Sequence, residues 1–133
     1  MRVVVLGATK FTRAVVEGLV EEDIDIVGMF GIPEKCIISY SKEPVKNYNY
    51  APLKDLCEDI DVPHYRVDGY EDRKIGNYSD EIEDLEPDVI LALGWYYNIP
   101  KKVRDHATYG AWGIHASLLP KYAGGAPLVW AMI

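Results

Sequence analysis

The chain has 133 residues and a formal net charge of −7, room for one domain with a modest core. The acidic balance argues against a generic attraction to nucleic acid, which depends on clustered Lys and Arg. Cys36 and Cys57 have no CxxC spacing, so neither a disulfide framework nor a thiolate metal site is indicated, and both read as reduced and structural.

No apolar stretch approaches the length of a bilayer span, and the N-terminal apolar run is too short for a signal peptide. A cytoplasmic location is the expectation. Residues 2–6 are a β-branched run that predicts a buried first strand. Gly7-Ala8-Thr9-Lys10 makes the turn, and Thr9 is placed to cap a helix. In that helix Phe11, Val15 and Leu19 form an apolar stripe, with Arg13 and Glu17 as an exposed pair. Residues 24–30 read as the second strand of a right-handed βαβ unit. A dinucleotide fingerprint needs three glycines at this turn, and Gly7 stands alone, so NAD is not expected. Thr9 and Lys10 are candidate substrate contacts, because free N–H groups at a helix start suit a phosphate or carboxylate. An ordinary strand-to-helix turn accounts for the same residues.

Over residues 31–51 periodicity fades while Lys, Tyr, Asn and Pro accumulate. Such a connection is either a lid whose aromatics and lysines close over a substrate or a mobile surface loop. Residues 52–58 predict a helix with Leu53, Leu56 and Cys57 facing inward. Residues 62–67 predict a short strand that Pro63 assigns to an edge or outer position; His64, alone there, reads as structural. Residues 79–86 predict a helix capped by Ser79, with acids in its first turn forming a solvated face. Residues 89–93 are the most continuously apolar strand and belong at the centre of the sheet. The turn Gly94-Trp95-Tyr96-Tyr97-Asn98-Ile99-Pro100 offers the aromatic walls that a flat heterocycle wants, although a turn packed on its own sheet would carry the same residues. Pro100 opens a helix through Asp105, and His106 near its end suits the helix dipole.

Residues 110–127 organise the rest. An apolar run too short for a helix leads into His115, then Ala116-Ser117-Leu118-Leu119-Pro120, and the stretch ends in Pro127, a residue suited to the first turn of a helix. The reading is strand, active-site turn, helix. Histidine titrates near neutrality, and at the carboxyl end of a buried strand in an open α/β sheet it is a candidate catalyst. A structural histidine bonded to backbone is the alternative that the local pattern leaves open.

Together with Tyr122, Gly124, Pro127, Trp130 and Ala131, the His-Ala-Ser-Leu-Leu-Pro run resembles the signature of the folate-dependent formyltransferases. That family includes methionyl-tRNA formyltransferase, glycinamide ribonucleotide formyltransferase, formyltetrahydrofolate deformylase and the sugar N-formyltransferases. The resemblance implies an α/β fold with a Rossmann-like, mostly parallel sheet and flanking helices, here a truncated formyltransferase fold in which residues 1–133 are the N-terminal part of the catalytic domain. It implies transfer of a formyl group from 10-formyltetrahydrofolate, as co-substrate and without a metal, to an amine. The negative charge favours a small-molecule acceptor, such as an amino sugar on a nucleotide, over methionyl-tRNA; no membrane partner is implied. His115 would be catalytic. Trp95, Tyr96, Tyr97, Asn98, Ser117, Leu118, Leu119 and Pro120 would contact the folate, and Thr9, Lys10, Tyr122 and Gly124 the acceptor.

Two departures accompany the resemblance. The family carries an asparagine two residues before the histidine, where this chain has Gly113, and an arginine just before the glycine in many relatives, where it has Ala123. Loss of one oxyanion donor typically costs about 10²–10³ in turnover. That motivates a second reading, a catalytically weak folate-binding homologue; a deformylase, with water replacing the amine, is a third. The family's downstream aspartate would fall past Ile133, so the isolated segment is expected to give little or no formyl transfer.

Overall fold

The computed structural model describes residues 1–38, 41–124 and 131–132. β1 (Arg2–Gly7), α1 (Lys10–Glu21) and β2 (Asp25–Gly31) form the expected parallel βαβ unit. The two-residue strands β3 (Lys35–Cys36) and β4 (Val45–Lys46) pair antiparallel, and α2 (Lys54–Asp59) and β5 (His64–Arg66) follow. Two 3₁₀ turns, Glu71–Arg73 and Ile75–Tyr78, lead into α3 (Ser79–Asp84), β6 (Val89–Leu93), α4 (Lys101–Arg104) and β7 (Ala111–Gly113). The main sheet has the order β5-β2-β1-β6-β7, with every pairing parallel. β1, β2 and β5 are laid down toward one side, and the chain then returns to place β6 and β7 on the other. The reversal lies between β1 and β6, and its carboxyl end is where an open sheet forms a ligand crevice.

Strand alternation divides the core into two faces. Val3, Val5, Met29 and Val89 pack with Leu53, Leu56 and Cys57 on one. Val4, Leu6, Phe30 and Ile90 pack with Ile82 and Val103 on the other. A register shift between Val3 and Val4 against β2 moves β2 by one residue, which sets Met29 beside Val5 on one face of the core and Phe30 beside Leu6 on the other. Phe30 stacks on Tyr65, with ring centroids 4.6 Å apart. Burial pushes the Cys57 thiol up to about 11 and the Cys36 thiol up as well, so both stay protonated at neutral pH.

Four local expectations change. Val15 and Leu19 pack against the core as expected, but the fully buried positions of α1 are Thr12 and Val16, and Phe11 is 43% exposed. Thr12 turns inward because its hydroxyl has polar partners there: it donates to the Leu93 carbonyl at 2.6 Å and lies 2.9 Å from the Thr9 hydroxyl. Ser79 is the first residue of α3 rather than its cap, since the preceding 3₁₀ turn supplies the entry, and its Oγ lies 2.8 Å from His106 Nε2. Within the 31–51 connection, β3, β4 and residues 47–51 are held by specific contacts rather than loose. Asn47 is buried and donates from Nδ2 to the Ala8 carbonyl at 3.2 Å, and Ala51 N donates to the same oxygen at 3.1 Å. Ser39 and Tyr40 of that segment lie outside the described residues. Finally, β7 is not buried: it ends the sheet among the described residues, with Trp112 57% and Ile114 71% exposed.

Candidate active site

Two stretches leave the carboxyl edge side by side. β6 pairs with β7 as Ile90 with Ala111, Leu91 with Trp112 and Ala92 with Gly113. The turn that carries His115 follows β7 as the Gly94 turn follows β6, at the same edge of the sheet. Gly94 has φ +64, and a Cβ there would stand 2.7 Å from the Thr9 side chain, so glycine is required for β1 and β6 to meet so closely at the switch point.

Beyond Gly94 the aromatic corner is fixed by packing. Trp95 and Tyr97 meet edge to face at 5.8 Å, and the Tyr97 hydroxyl donates to the Ile37 carbonyl at 2.8 Å. Burial, with Cys36 alongside, raises the Tyr97 pKa, so the phenol remains a neutral donor. Trp95 Nε1 is buried with no partner among the described residues. A cavity of about 530 Å³ opens beside Tyr97 and Asn98, with Ile38, Ile75, Asn77 and Pro100 in its wall. Its volume is in the range of small-molecule sites, and its mixture of apolar wall and amide groups suits a flat, hydrogen-bonding heterocycle.

His115 stands exposed beyond β7, in a turn held by short-range bonds. Its Nδ1 is 2.8 Å from Ser117 Oγ and its Nε2 3.0 Å from the Gly124 carbonyl. A carbonyl only accepts, so Nε2 carries hydrogen. The Ser117 hydroxyl then donates to Nδ1 of the neutral ring, and its oxygen accepts from Nδ1–H when the ring takes up a second proton. Both protonation states are thus satisfied in one geometry, which suits a group that gives and takes protons. Lys121 N donates to the Leu118 carbonyl at 2.9 Å, closing the bend, and the Leu119–Pro120 peptide is cis.

The structure therefore joins His115, Ser117 and Gly124 in one hydrogen-bonded unit, and sets Tyr97 and Asn98 on a cavity wall. Tyr96 is 43% exposed; Leu118 and Leu119 are 84% and 60% exposed and form an apolar lip with the exposed Pro120. Tyr122 lies at φ 57 and is half exposed. Thr9 is 5% exposed and caps α1, accepting from Thr12 N at 3.1 Å. The N–H of Lys10 donates to the Asn49 carbonyl at 2.9 Å, so the strap takes up one of the free N–H groups at the helix start, while the Lys10 side chain is exposed. Pro127 and Trp130 lie outside the described residues.

Sequence reasoning gave Ser117 to the folate and missed its bond to His115; the readable signal was a hydroxyl two residues after an imidazole, within reach across a turn. It also missed Asn47, whose function depends on a contact 39 residues away in sequence. Among the described residues no cluster of His, Cys, Asp and Glu could hold a metal, and no helix is long and apolar enough to cross a membrane.

A parallel α/β sheet with flanking helices and a histidine turn at its carboxyl edge defines a Rossmann-like protein. The match to the formyl transferase family runs over residues 1–133, and the chain belongs to that family. A methionyl-tRNA formyltransferase from Alkaliphilus oremlandii strain OhILAs is 30% identical over 133 residues, which are 100% of this chain and 40% of that protein. Another, from Clostridioides difficile strain 630, is 29% identical with the same coverage. Among solved structures, a formyltetrahydrofolate deformylase from Pseudomonas syringae pv. tomato superposes with a TM-score of 0.70 at 20% identity, covering 98% of this chain and 41% of that one. A phosphoribosylglycinamide formyltransferase from Bacillus halodurans gives 0.69 at 12%, covering 99% and 64%. These structures share the fold; the chain spans about 40% of the length of the two sequence relatives.

Proposed function

We propose that the protein transfers the formyl group of 10-formyltetrahydrofolate to the amine of a small acceptor, an amino sugar on a nucleotide before methionyl-tRNA. The observation that carries this is the His115 unit: an exposed imidazole whose Nε2–H donates to the Gly124 carbonyl and whose Nδ1 is braced by Ser117, in the turn that follows β7 at the sheet's carboxyl edge. The cavity beside Tyr97 and Asn98 fits the heterocyclic part of the folate, and Trp95 Nε1 is a buried donor without a described partner in the same corner.

In the reaction the amine lone pair attacks the formyl carbon, and the carbonyl electron pair moves to oxygen. His115 Nε2–H exchanges the Gly124 carbonyl for that developing oxyanion. In this step the ring starts doubly protonated, with Nδ1–H donating to Ser117 Oγ. As the carbonyl re-forms and the carbon–nitrogen bond to the folate breaks, Nε2 gives its proton to the departing folate nitrogen and then takes the proton that the attacking amine sheds, with Ser117 keeping Nδ1 paired throughout. General acid–base help of this kind contributes about 10²–10⁴ in rate.

The test assays the 133 residues, and beside them a version extended to the length of the relatives they match, with 10-formyltetrahydrofolate and, separately, a nucleotide-linked amino sugar, methionyl-tRNA or water alone. Formylated amino sugar is the expected product of the extended protein, with little or none from the 133 residues alone. Formate release without an amine would establish a deformylase instead, and no product from the extended protein with any of the three would refute the reading.

Gly113 favours the second reading, a catalytically weak folate-binding homologue. A Cβ at this position would meet the Ala92 carbonyl at 3.3 Å, a contact that a shift of a few tenths of an ångström relieves. Gly113→Asn is therefore a usable probe: a strong rise in turnover marks the natural protein as handicapped, whereas no change or a loss marks a site complete without the amide.

A further inference from the structure

The cavity beside Tyr97 and Asn98 takes Gly69, Lys74, Ile75, Gly76 and Asn77 from one segment, residues 69–77, which gives no strand to the sheet and runs through two short 3₁₀ turns. A wall of that kind has no ladder to hold it, and ordering it only when a ligand arrives would subtract from affinity. Immediately before the segment stands Asp68, a carboxylate 1% exposed that the reaction described above leaves unused. We propose that Asp68 is a positioning residue: it sets residues 69–77 as the wall of this cavity before the ligand enters and so governs affinity for the folate, an assignment that rests on the function proposed above.

The carboxylate is the hub of the turn. Its Oδ1 accepts from the Tyr70 N–H at 3.0 Å, and its Oδ2 lies 3.3 Å from Arg73 Nη1 and 3.6 Å from Arg66 Nε. Arg66 belongs to β5 and Arg73 to the first 3₁₀ turn, so one buried group ties the segment to the end of the sheet. The backbone closes the same turn, with Asp68 N donating to the Arg73 carbonyl and Arg73 N to the Tyr70 carbonyl, each at 3.0 Å. On one side the hub reaches the aromatic corner: a Cβ on Gly69 would stand 2.6 Å from the Ile37 carbonyl oxygen, the same oxygen that accepts from the Tyr97 hydroxyl. On the other it reaches Asn77, whose Nδ2 donates to the Glu71 carbonyl inside the turn and whose N–H donates to the Lys74 carbonyl at 2.9 Å. Both walls of the cavity are therefore referred to Asp68.

A direct part in the chemistry is ruled out by distance. β5 and β7 are the two ends of the main sheet, four strand spacings or roughly 19 Å apart, so Asp68 does not meet the groups around His115. Nor does the fold depend on its charge. Taking away the carboxylate charge leaves two guanidinium groups that are already about half exposed, which return to water without stranding a buried ion. Asp68→Asn, which keeps an oxygen for the Tyr70 N–H, is therefore expected to fold and to lose only the clamp on Arg73 and Arg66.

Titrated with 5-formyltetrahydrofolate and followed by tryptophan fluorescence, the Asp68→Asn protein is expected to bind about tenfold more weakly than the natural one. In the extended protein KM for 10-formyltetrahydrofolate should rise by about the same factor while kcat and KM for the amine stay fixed, a split that general destabilisation would not produce. Amide exchange at Arg73 and Asn77 should quicken about tenfold, with Val4 and Val5 of β1 unchanged. Arg73→Ala should weaken binding about fivefold, and the double variant should bind no more weakly than Asp68→Asn alone, because both act through one turn. Multiplied effects would make Arg73 a ligand contact and overturn the arrangement, as would a fall in kcat with KM unmoved. Quicker exchange in the variant, with no folate bound by either protein, would support the positioning and refute the folate reading; tight folate binding untouched by both substitutions would do the reverse.

Discussion

β6 and β7 are neighbours in one sheet, yet they are held by different physics. β6 is covered on both faces, with Val89, Ile90 and Leu93 buried, and the turn after it is locked by Trp95 and Tyr97 packing. β7 is three residues long, half exposed, and leads to a turn kept in shape by bonds among His115, Ser117, Leu118, Lys121 and Gly124. The core determines where the second stretch begins, while local hydrogen bonds determine how its imidazole is presented. Core packing and the presentation of the imidazole are thereby separated onto adjacent strands.

That separation can be broken by mutation. Ile90→Ala should cost about 2–5 kcal/mol, measured by urea denaturation, because it opens a cavity between β6 and the helices packed on it. Ile114→Ala, on a side chain that is 71% exposed, should stay within about 0.5 kcal/mol. Comparable losses from the two would dissolve the contrast. Next in size is Ser117→Ala, which leaves Nδ1 without its partner; kcat should fall about tenfold and rise again with Ser117→Thr, while the denaturation midpoint stays fixed. The smallest effect concerns the far end of the sheet. Burial and the Lys54 charge hold His64 below its ordinary value of 6.5, so below that pH the unfolded chain binds a proton that the folded chain resists. Stability should therefore decline as pH falls from 7 to 5, and thermal melts of His64→Gln should show a shallower decline.

The centre of this fold was legible because it obeys short-period rules. Residues 89–93 form an apolar run and lie in the middle of the sheet, and Pro63 correctly placed the strand at 64–66 at an outer position. Thr9 was readable as a cap for the same reason: the cap and its partner Thr12 are three residues apart. Long-range partners were not legible. Thr12 faces inward for a carbonyl 81 residues away, and residues 47–51 become a strap through contacts to Ala8 and Lys10. The burial of β7 was misjudged because an apolar run cannot reveal whether a further layer covers it. For the site, the motif identified His115 from residue types in order, but assigned Ser117 by position in that motif rather than by its reach to the ring.

The most direct test is the single-turnover rate of formyl transfer by His115→Asn against the natural protein, with both substrates saturating. A fall of about 10²–10⁴, with folate binding and the melting temperature unchanged, is the result expected if the imidazole beyond β7 does the chemistry. A variant that transfers formyl at the natural rate would contradict it.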